Sequence, residues 1–491
     1  MTRVLLTGGS GFIAAHVLDI LLQHGHSVVT TVRSQEKADK IKDAHPNVGK
    51  DKLDFAIVED IAQENAFDEA VKSDPPFEAV IHTASPFHFN VTDVQKQLLD
   101  PAIIGTTGIL KSIKKSAPTV KKVVITSSFA SIVDGTKGAW PEHTYSEKDW
   151  NPITHEQALQ NPANGYRASK TFAEKAAWDF LEKEKPNWTL STINPPLVLG
   201  PVVNYLNSLS ALNTSNQRTR DIMLGKAKDE IAETGTFIFV DVRDVALCHV
   251  KAMEVEAAAN KRFFVTAGYM SNKQIAMIVR KNFPDLADKL PTESTPGGDY
   301  PPGGVFKIDN SRVIETLGVK FRTLEESIVD TVKSIQHIKD ITWNAFENQH
   351  PRASSSRLFN TSAVEMGDFQ AIAQQFTEFY YKTFDTSREQ LLPLYRDHSM
   401  LTFENSPTQG GTAIIEKLTS LPFSKVQHEV TSLDAQPSNE GGGILVLVSG
   451  RLLVDEEQRP MSYTQSFQLL PDGQGSYYVF NDIFRLVYSA A

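Results

Sequence analysis

At 491 residues the chain exceeds one ordinary domain, and a prior of about 100–200 residues per domain points to two or more. Its composition, 41% hydrophobic and 22% charged, fits a soluble globular protein and excludes a low-complexity or fibrous one. The formal charge of −10 is concentrated late: from Gly367 onward there are 15 acidic against 8 basic residues, which argues against a nucleic-acid partner and for a basic one.

The first apolar run, Val4-Leu5-Leu6, is too short for a signal peptide, and no stretch reaches the roughly 18–20 apolar residues of a membrane helix. Membrane insertion is therefore not expected. The run leads into Thr7-Gly8-Gly9-Ser10-Gly11-Phe12-Ile13-Ala14 and then a periodic segment with Val17, Leu18, Leu21 and Leu22 on one face. Strand, glycine turn and helix in that order are the context of a dinucleotide site. Gly8 and Gly11 allow a tight turn and close approach of a ligand, and the helix start favours a pyrophosphate.

A second strand, residues 27–32, ends at Arg33, with Lys37 one helical turn on and no acid at the strand end itself. An acid there would hold a ribose 2′-hydroxyl, whereas basic residues accommodate a 2′-phosphate, so the cofactor expected is NADPH. A third strand, 53–58, leads to Asp60-Ile61, an adenine contact. A fourth, 79–81, leads to Thr83-Ala84-Ser85, a loop suited to lie under the cofactor. A fifth, 123–128, ends in the hydroxyls Ser127 and Ser128.

Tyr166 and Lys170 stand at i, i+4 on the next helix, one turn apart on one face. A phenol is a poor acid at neutral pH, and a neighbouring ammonium favours its phenolate and brings it toward the working range. A serine at the end of the fifth strand would hold a carbonyl oxygen beside it. The lone Cys248, in a helical pattern, excludes an intramolecular disulfide and fits a reducing compartment. No metal site is read from the chain.

These features resemble the extended short-chain dehydrogenase/reductase family, and within it the fungal NADPH-dependent aldehyde and ketone reductases. The likeness rests on residues 33–38, 82–87, 170–178 and 241–246 and covers about 1–341. It implies a Rossmann-type doubly wound parallel α/β sheet, with Tyr166 as proton donor. Lys170 would lower the Tyr166 pKa and hold the nicotinamide ribose, and Ser128 (Ser127 failing that) would polarise the carbonyl. Pro195, after Asn194, and Ser215 match segments on the nicotinamide and phosphate sides. Sugar-nucleotide dehydratases of this superfamily carry an Asp-Glu pair after the strand-five hydroxyl; here Phe129-Ala130 follow. Phe87, Phe129, Pro196 and Leu197 suggest an apolar pocket for small carbonyls, with Leu197 where a tyrosine is expected.

Residues 342–365 have no clean period, a proline and a serine run, and read as a connector, although they are unusually aromatic. Two adjacent reading frames joined into one would explain that composition. From Met366 the pattern changes to helices at 369–380, 389–397 and 411–418, then strands at 428–433, 444–454, 463–470 and 477–484. That order indicates a separate α+β domain with a curved antiparallel sheet. His398 and His428 stand alone, without a carboxylate at suggestive spacing.

Residues 376–381, 421–428, 433–437 and 480–486 resemble nuclear transport factor 2, a homodimeric carrier of GDP-bound Ran. The resemblance implies a cone-shaped fold and a homodimer. It also implies an acidic Ran-binding rim at Glu404, Asp455 and Glu457, and a Phe-x-Phe-Gly nucleoporin site including Phe369 and Asp385. The chain is then expected in the cytoplasm, with access to the nucleus and its envelope. The alternatives are a second domain that only dimerises the reductase, and one whose cavity acts on the reductase product.

Overall fold

The computed structural model describes residues 1–85, 91, 93–203, 212–336, 369–423, 425–438, 442–455, 460–472 and 477–487. The chain divides between residues 347 and 348 into two compact units. The connector expected at 342–365 lies outside the described residues.

The first unit contains strands β1 (Arg3–Thr7), β2 (Ser27–Val32), β3 (Leu53–Ile57), β4 (Ala79–His82), β5 (Lys122–Thr126), β6 (Thr144–Tyr145), β7 (Thr189–Asn194), β8 (Leu197–Leu199), β9 (Ile238–Asp241), β10 (Lys261–Phe264), β11 (Gly268–Tyr269) and β12 (Lys307–Ile308). Seven of them form one parallel sheet in the order β10-β7-β5-β4-β1-β2-β3. Helices cover both faces, which is why β1 and β2 read as unbroken apolar or β-branched runs rather than alternating ones. Val4 and Leu6 pack with Val17, Leu18 and Leu21 of the helix Phe12–Gln23. Leu5 packs on the opposite face with Ile109, Leu110 and Ile113. Each fully buried leucine contributes about 1.5–3 kcal/mol.

The strand order reverses at β1, which pairs with β2 on one side and β4 on the other, Thr7 standing opposite His82. The crevice beyond the carboxyl ends of the strands at such a point is where this architecture takes ligands. Small sheets β11-β9-β8 and β12-β6 and the helices Asn272–Asn282 and Leu324–Gln336 complete the unit.

The second unit has β13 (Met400–Phe403), β14 (Ser406–Gln409), β15 (Val426–Pro437), β16 (Ile444–Val454), β17 (Met461–Pro471) and β18 (Tyr477–Val487), in the order β14-β13-β18-β17-β16-β15. Ile444, Val446 and Val448 of β16 face the helix Phe369–Thr386, while Leu445 and Leu447 between them are exposed.

Two local expectations fail. The helix expected at 389–397 is a 3-10 segment, Arg388–Leu394, because Pro393 cannot supply an α-helical N–H bond. The hairpin β13–β14 went unread because four-residue strands carry little periodicity. It also brings in one parallel pairing, β13 with β18, in an otherwise antiparallel sheet.

Candidate functional site

The glycine turn joins β1 to the helix Phe12–Gln23. Gly8 has φ +77°, and a Cβ there would lie 3.0 Å from the Ala84 backbone. Gly9, which the sequence did not single out, is the tightest position: its Cβ would meet the buried Thr30 hydroxyl at 2.1 Å. Thr7 ties the turn to the loop after β4, since its carbonyl accepts from the Thr83 hydroxyl at 2.6 Å and its own hydroxyl accepts from the Ala84 N–H at 3.2 Å. Gly11 stands at the N-cap of the helix with no side chain capping it, and Phe12 and Ile13 begin the helix. The positive helix end beside Ser10 is thus left open to an anion.

Arg33 and Lys37 are exposed beyond the end of β2. Asp60 is exposed as well, its carboxylate accepting from the Ala62 N–H and the Gln63 amide, each at 2.8 Å, and Ile61 packs against the core.

Tyr166 and Lys170 lie on the helix Pro162–Glu184, whose start is capped by Asn161. The Ser128 hydroxyl lies close enough to the Tyr166 phenol to lower its pKa, and it accepts from the Ala130 N–H at 3.1 Å. Ser127 points elsewhere, donating to Glu174 at 2.5 Å. Lys170 Nζ lies 6.0 Å from the Tyr166 ring centre and donates to the Ser85 hydroxyl at 2.9 Å. By surface area Lys170 is only partly buried, yet its ammonium sits deep enough that desolvation brings its pKa down to about 8. Burial pushes the Tyr166 phenol above its ordinary value, with the Ser128 hydroxyl opposing. The depression expected from Lys170 is therefore absent here, because at this separation desolvation outweighs the ammonium.

A family model for the NAD dependent epimerase/dehydratase family matches residues 4–266. Over 334 residues the chain is 49% identical to the ketoreductase azaE of Aspergillus niger, covering 68% of this chain and 97% of that protein. The chain belongs to the NAD dependent epimerase/dehydratase family. The structure of Gre2 from Candida albicans in complex with NADPH superposes on it with a TM-score of 0.64 at 39% identity, covering 69% of this chain and 99% of that one.

Within this epimerase/dehydratase-family unit the apolar pocket is only partly as expected. Phe129 is buried in an aromatic cluster, its ring stacked on Phe264 at 5.2 Å and edge-on to Tyr145 at 5.5 Å. It serves the core rather than a pocket wall, because the chain after Ser128 enters a short 3-10 turn that rotates the ring inward. Leu197 and Pro196 are half-buried, and Phe87 lies outside the described residues. Pro195 is buried, its carbonyl accepting from the Phe129 N–H at 2.8 Å, and Ser215 is half-buried in the first turn of the helix Thr214–Met223.

The sequence reading also missed a buried layer beneath the site, centred on Glu174 and Arg262, whose contact is 2.6 Å. Its one signal was that Glu174 continues the Tyr166, Lys170 spacing by another turn. Elsewhere, His24, His26 and Glu254 gather three ligand-type atoms. The Thr2 N–H pointing at His26 Nδ1 leaves the ring proton on Nε2, facing Glu254, so this is a hydrogen-bond network rather than a metal site.

A nuclear transport factor 2 domain model matches residues 372–486. Over 125 residues the chain is 72% identical to nuclear transport factor 2 of Emericella nidulans, covering 26% of this chain and all of that protein. The C-terminal unit belongs to that family, and both units are present at essentially the full length of their relatives.

In this domain His428 does not stand alone: its Nδ1 and backbone N–H meet the Asp385 carboxylate at 2.6 and 2.9 Å. The partners are 43 residues apart, too far for spacing to reveal. Asp482 is fully buried, accepting from Tyr395 at 2.7 Å, Tyr380 at 3.1 Å and Gln465 at 2.7 Å.

Glu404 (φ +53°) and Asp455 (φ +50°) occupy turns, their carboxylates accepting from the backbone N–H groups of Leu486 and Lys425. The strand registers bring both turns to one end of the sheet. Glu457 lies outside the described residues. Phe369 packs against the core at the start of its helix and Asp385 lies near the end, about 24 Å away at 1.5 Å per residue. One copy of the domain therefore does not join them into one short-peptide site.

Proposed function

We propose that residues 1–341 form an NADPH-dependent carbonyl reductase, that 342–365 connect it to a second domain, and that 366–491 form a nuclear transport factor 2 module. The convergence of Ser128, Tyr166 and Lys170, with the Lys170 ammonium 6.0 Å from the Tyr166 ring centre and bonded to Ser85 after β4, carries the catalytic part of this reading.

The residues present fit a dinucleotide with a 2′-phosphate. The open helix end at Gly11 suits a pyrophosphate, the exposed Arg33 and Lys37 suit the extra phosphate, and Lys170 with Ser85 suits ribose hydroxyls. When bound, NADPH supplies the hydride. Ser128 holds the carbonyl oxygen, Tyr166 gives it a proton, and Lys170 orients the ribose. With no acid after Ser128 and apolar Pro196 and Leu197 nearby, small aldehydes and ketones are the substrate class. Purified protein should consume NADPH with methylglyoxal, isovaleraldehyde or ethyl acetoacetate, and Arg33→Asp should move the preference toward NADH. No turnover with any of the three would sink the reductase reading.

For the second domain the reading is a homodimeric, Ran·GDP-binding module able to engage Phe-x-Phe-Gly nucleoporins. Turns bearing Glu404 and Asp455 at one end of the sheet support an acidic rim. The exposed Leu445, Leu447 and Ile483 support a self-associating sheet face. The chain would then work in the cytoplasm with access to the nucleus. Charge reversal at Asp455 and Glu457 should abolish capture of Ran·GDP, and unchanged capture would leave only the dimerisation role.

A further inference from the structure

Glu174 is the one acid on the Tyr166 face of its helix within two turns, at i+4 from Lys170 and i+8 from Tyr166. Its carboxylate is saturated. One oxygen accepts from Ser127 and Ser131 at 2.5 Å each and from Asn194 at 2.7 Å. The other accepts from Arg262 at 2.6 Å, Thr192 at 3.0 Å and Trp178 at 3.3 Å. These donors come from β7, β10, the turn after β5 and the helix itself, so a single group ties four neighbouring elements together.

Arg262 extends the span. It donates to the carbonyls of Glu147 and Asp149 at 2.7 Å and stacks on Trp150 at 3.6 Å. Burial alone would raise the Glu174 pKa, but the Arg262 charge and the hydroxyls of Ser127 and Ser131 hold it below the usual range.

Stability does not explain such an arrangement. A buried ion pair is often no more stable than an apolar pair of the same volume, so its worth lies in the geometry it enforces. That geometry centres on Ser128. Ser127 before it and Ser131 after it are both anchored on Glu174, and the single proton of the Ser131 hydroxyl is shared between that carboxylate and the Ser128 carbonyl at 2.7 Å. With both flanks fixed, the Ser128 side chain alone turns out of the layer toward Tyr166.

We propose that Glu174 is a positioning residue of the reductase, anchoring the Ser127–Ser131 turn so that the Ser128 hydroxyl is presented to the Tyr166 phenol. The inference rests on the reductase reading above. A displacement of about 1 Å at a reacting group costs about 10²-fold in rate, which is the effect this anchor is expected to prevent.

The test uses the full chain, with NADPH and methylglyoxal or ethyl acetoacetate, whichever the wild type turns over. Glu174→Gln should lower kcat about 10²-fold while the KM for the carbonyl and the NADPH affinity change little. In its background, Ser128→Ala should cost far less than in the wild type, because the two act through one geometry. Ser131→Ala, which keeps the ion pair, should give a smaller loss of kcat that is again non-additive with Ser128→Ala. Additive costs, or a Glu174→Gln kcat within a few-fold of the wild type, would overturn the positioning role and leave the reductase reading intact. An inactive wild type would overturn both.

Discussion

The Lys170 ammonium donates to the Ser85 hydroxyl at 2.9 Å, and desolvation alone accounts for its lowered pKa, with no acid offsetting it. Among the described residues its hydrogen-bond acceptor is a neutral hydroxyl, so a ligand would have to supply further polar partners for the cation. Below pH 8 it is charged and carries the cost of burial; above pH 8 it is neutral. NADPH affinity should therefore fall severalfold as pH rises through about 8. Lys170→Met should bind weakly at neutral pH and lose that step; fluorescence titration of NADPH at several pH values checks both. The unliganded domain should also gain stability between pH 8 and 10.5, where the unfolded chain binds the proton that the folded one has lost.

In the proposed mechanism the proton donor Tyr166 and the carbonyl-holding Ser128 are separable from binding. Tyr166→Phe should reduce kcat by about 10²–10⁴-fold with the melting temperature and NADPH affinity nearly unchanged. Ser128→Ala should fall in the same direction, whereas Ser127→Ala should give a smaller loss of kcat, because its hydroxyl is committed to Glu174 and acts only through the position of Ser128. Parallel steady-state kinetics and thermal melts distinguish these outcomes.

Gly9 tests how tightly the turn is packed. Gly9→Ala would drive a methyl into the Thr30 hydroxyl and should destabilise the domain by about 1–3 kcal/mol. Thr30→Ala alone loses the hydrogen bond to the Leu6 carbonyl at 3.0 Å. Together the two should cost less than their sum, which denaturant unfolding of the four proteins would measure.

Asp482 makes a prediction for the second domain. Burial raises its pKa to about 6, despite donors from Gln465, Tyr395 and Tyr380. The unfolded chain releases this proton near pH 3.8 and the folded one near 6, so stability falls as pH rises between those values. Asp482→Asn should remove that slope, leaving the domain as stable as wild type or more so at pH 7.5 and less stable at pH 5. Hydrogen exchange of peptides from β16 to β18 would read the difference without interference from the first unit.

Much of the candidate site was legible because its chemistry is local. Gly8, Gly11, Arg33 and the Tyr166, Lys170 pair each announce themselves within a turn or a strand end, where backbone geometry fixes what neighbours can meet. Five of the seven strands of the parallel sheet were equally legible, since buried parallel strands leave unbroken apolar runs, while β7 and β10 went unread. Short strands such as β13 and β14 leave no period, and Pro393 outweighed an otherwise helical pattern.

What the sequence alone determined was the set of chemical groups and the order of the elements carrying them. It could not say that Ser127 is spent on Glu174 and Ser128 is free for Tyr166, because two adjacent serines differ only in which way the chain turns after β5. Nor could it pair Glu174 with Arg262, 88 residues away, or Asp385 with His428, 43 residues away. It put Phe129 in a pocket that the 3-10 turn moves into the core. Those outcomes depend on which side chains share a buried volume, and only the tertiary structure, by bringing distant strand ends together and excluding water between them, decides that.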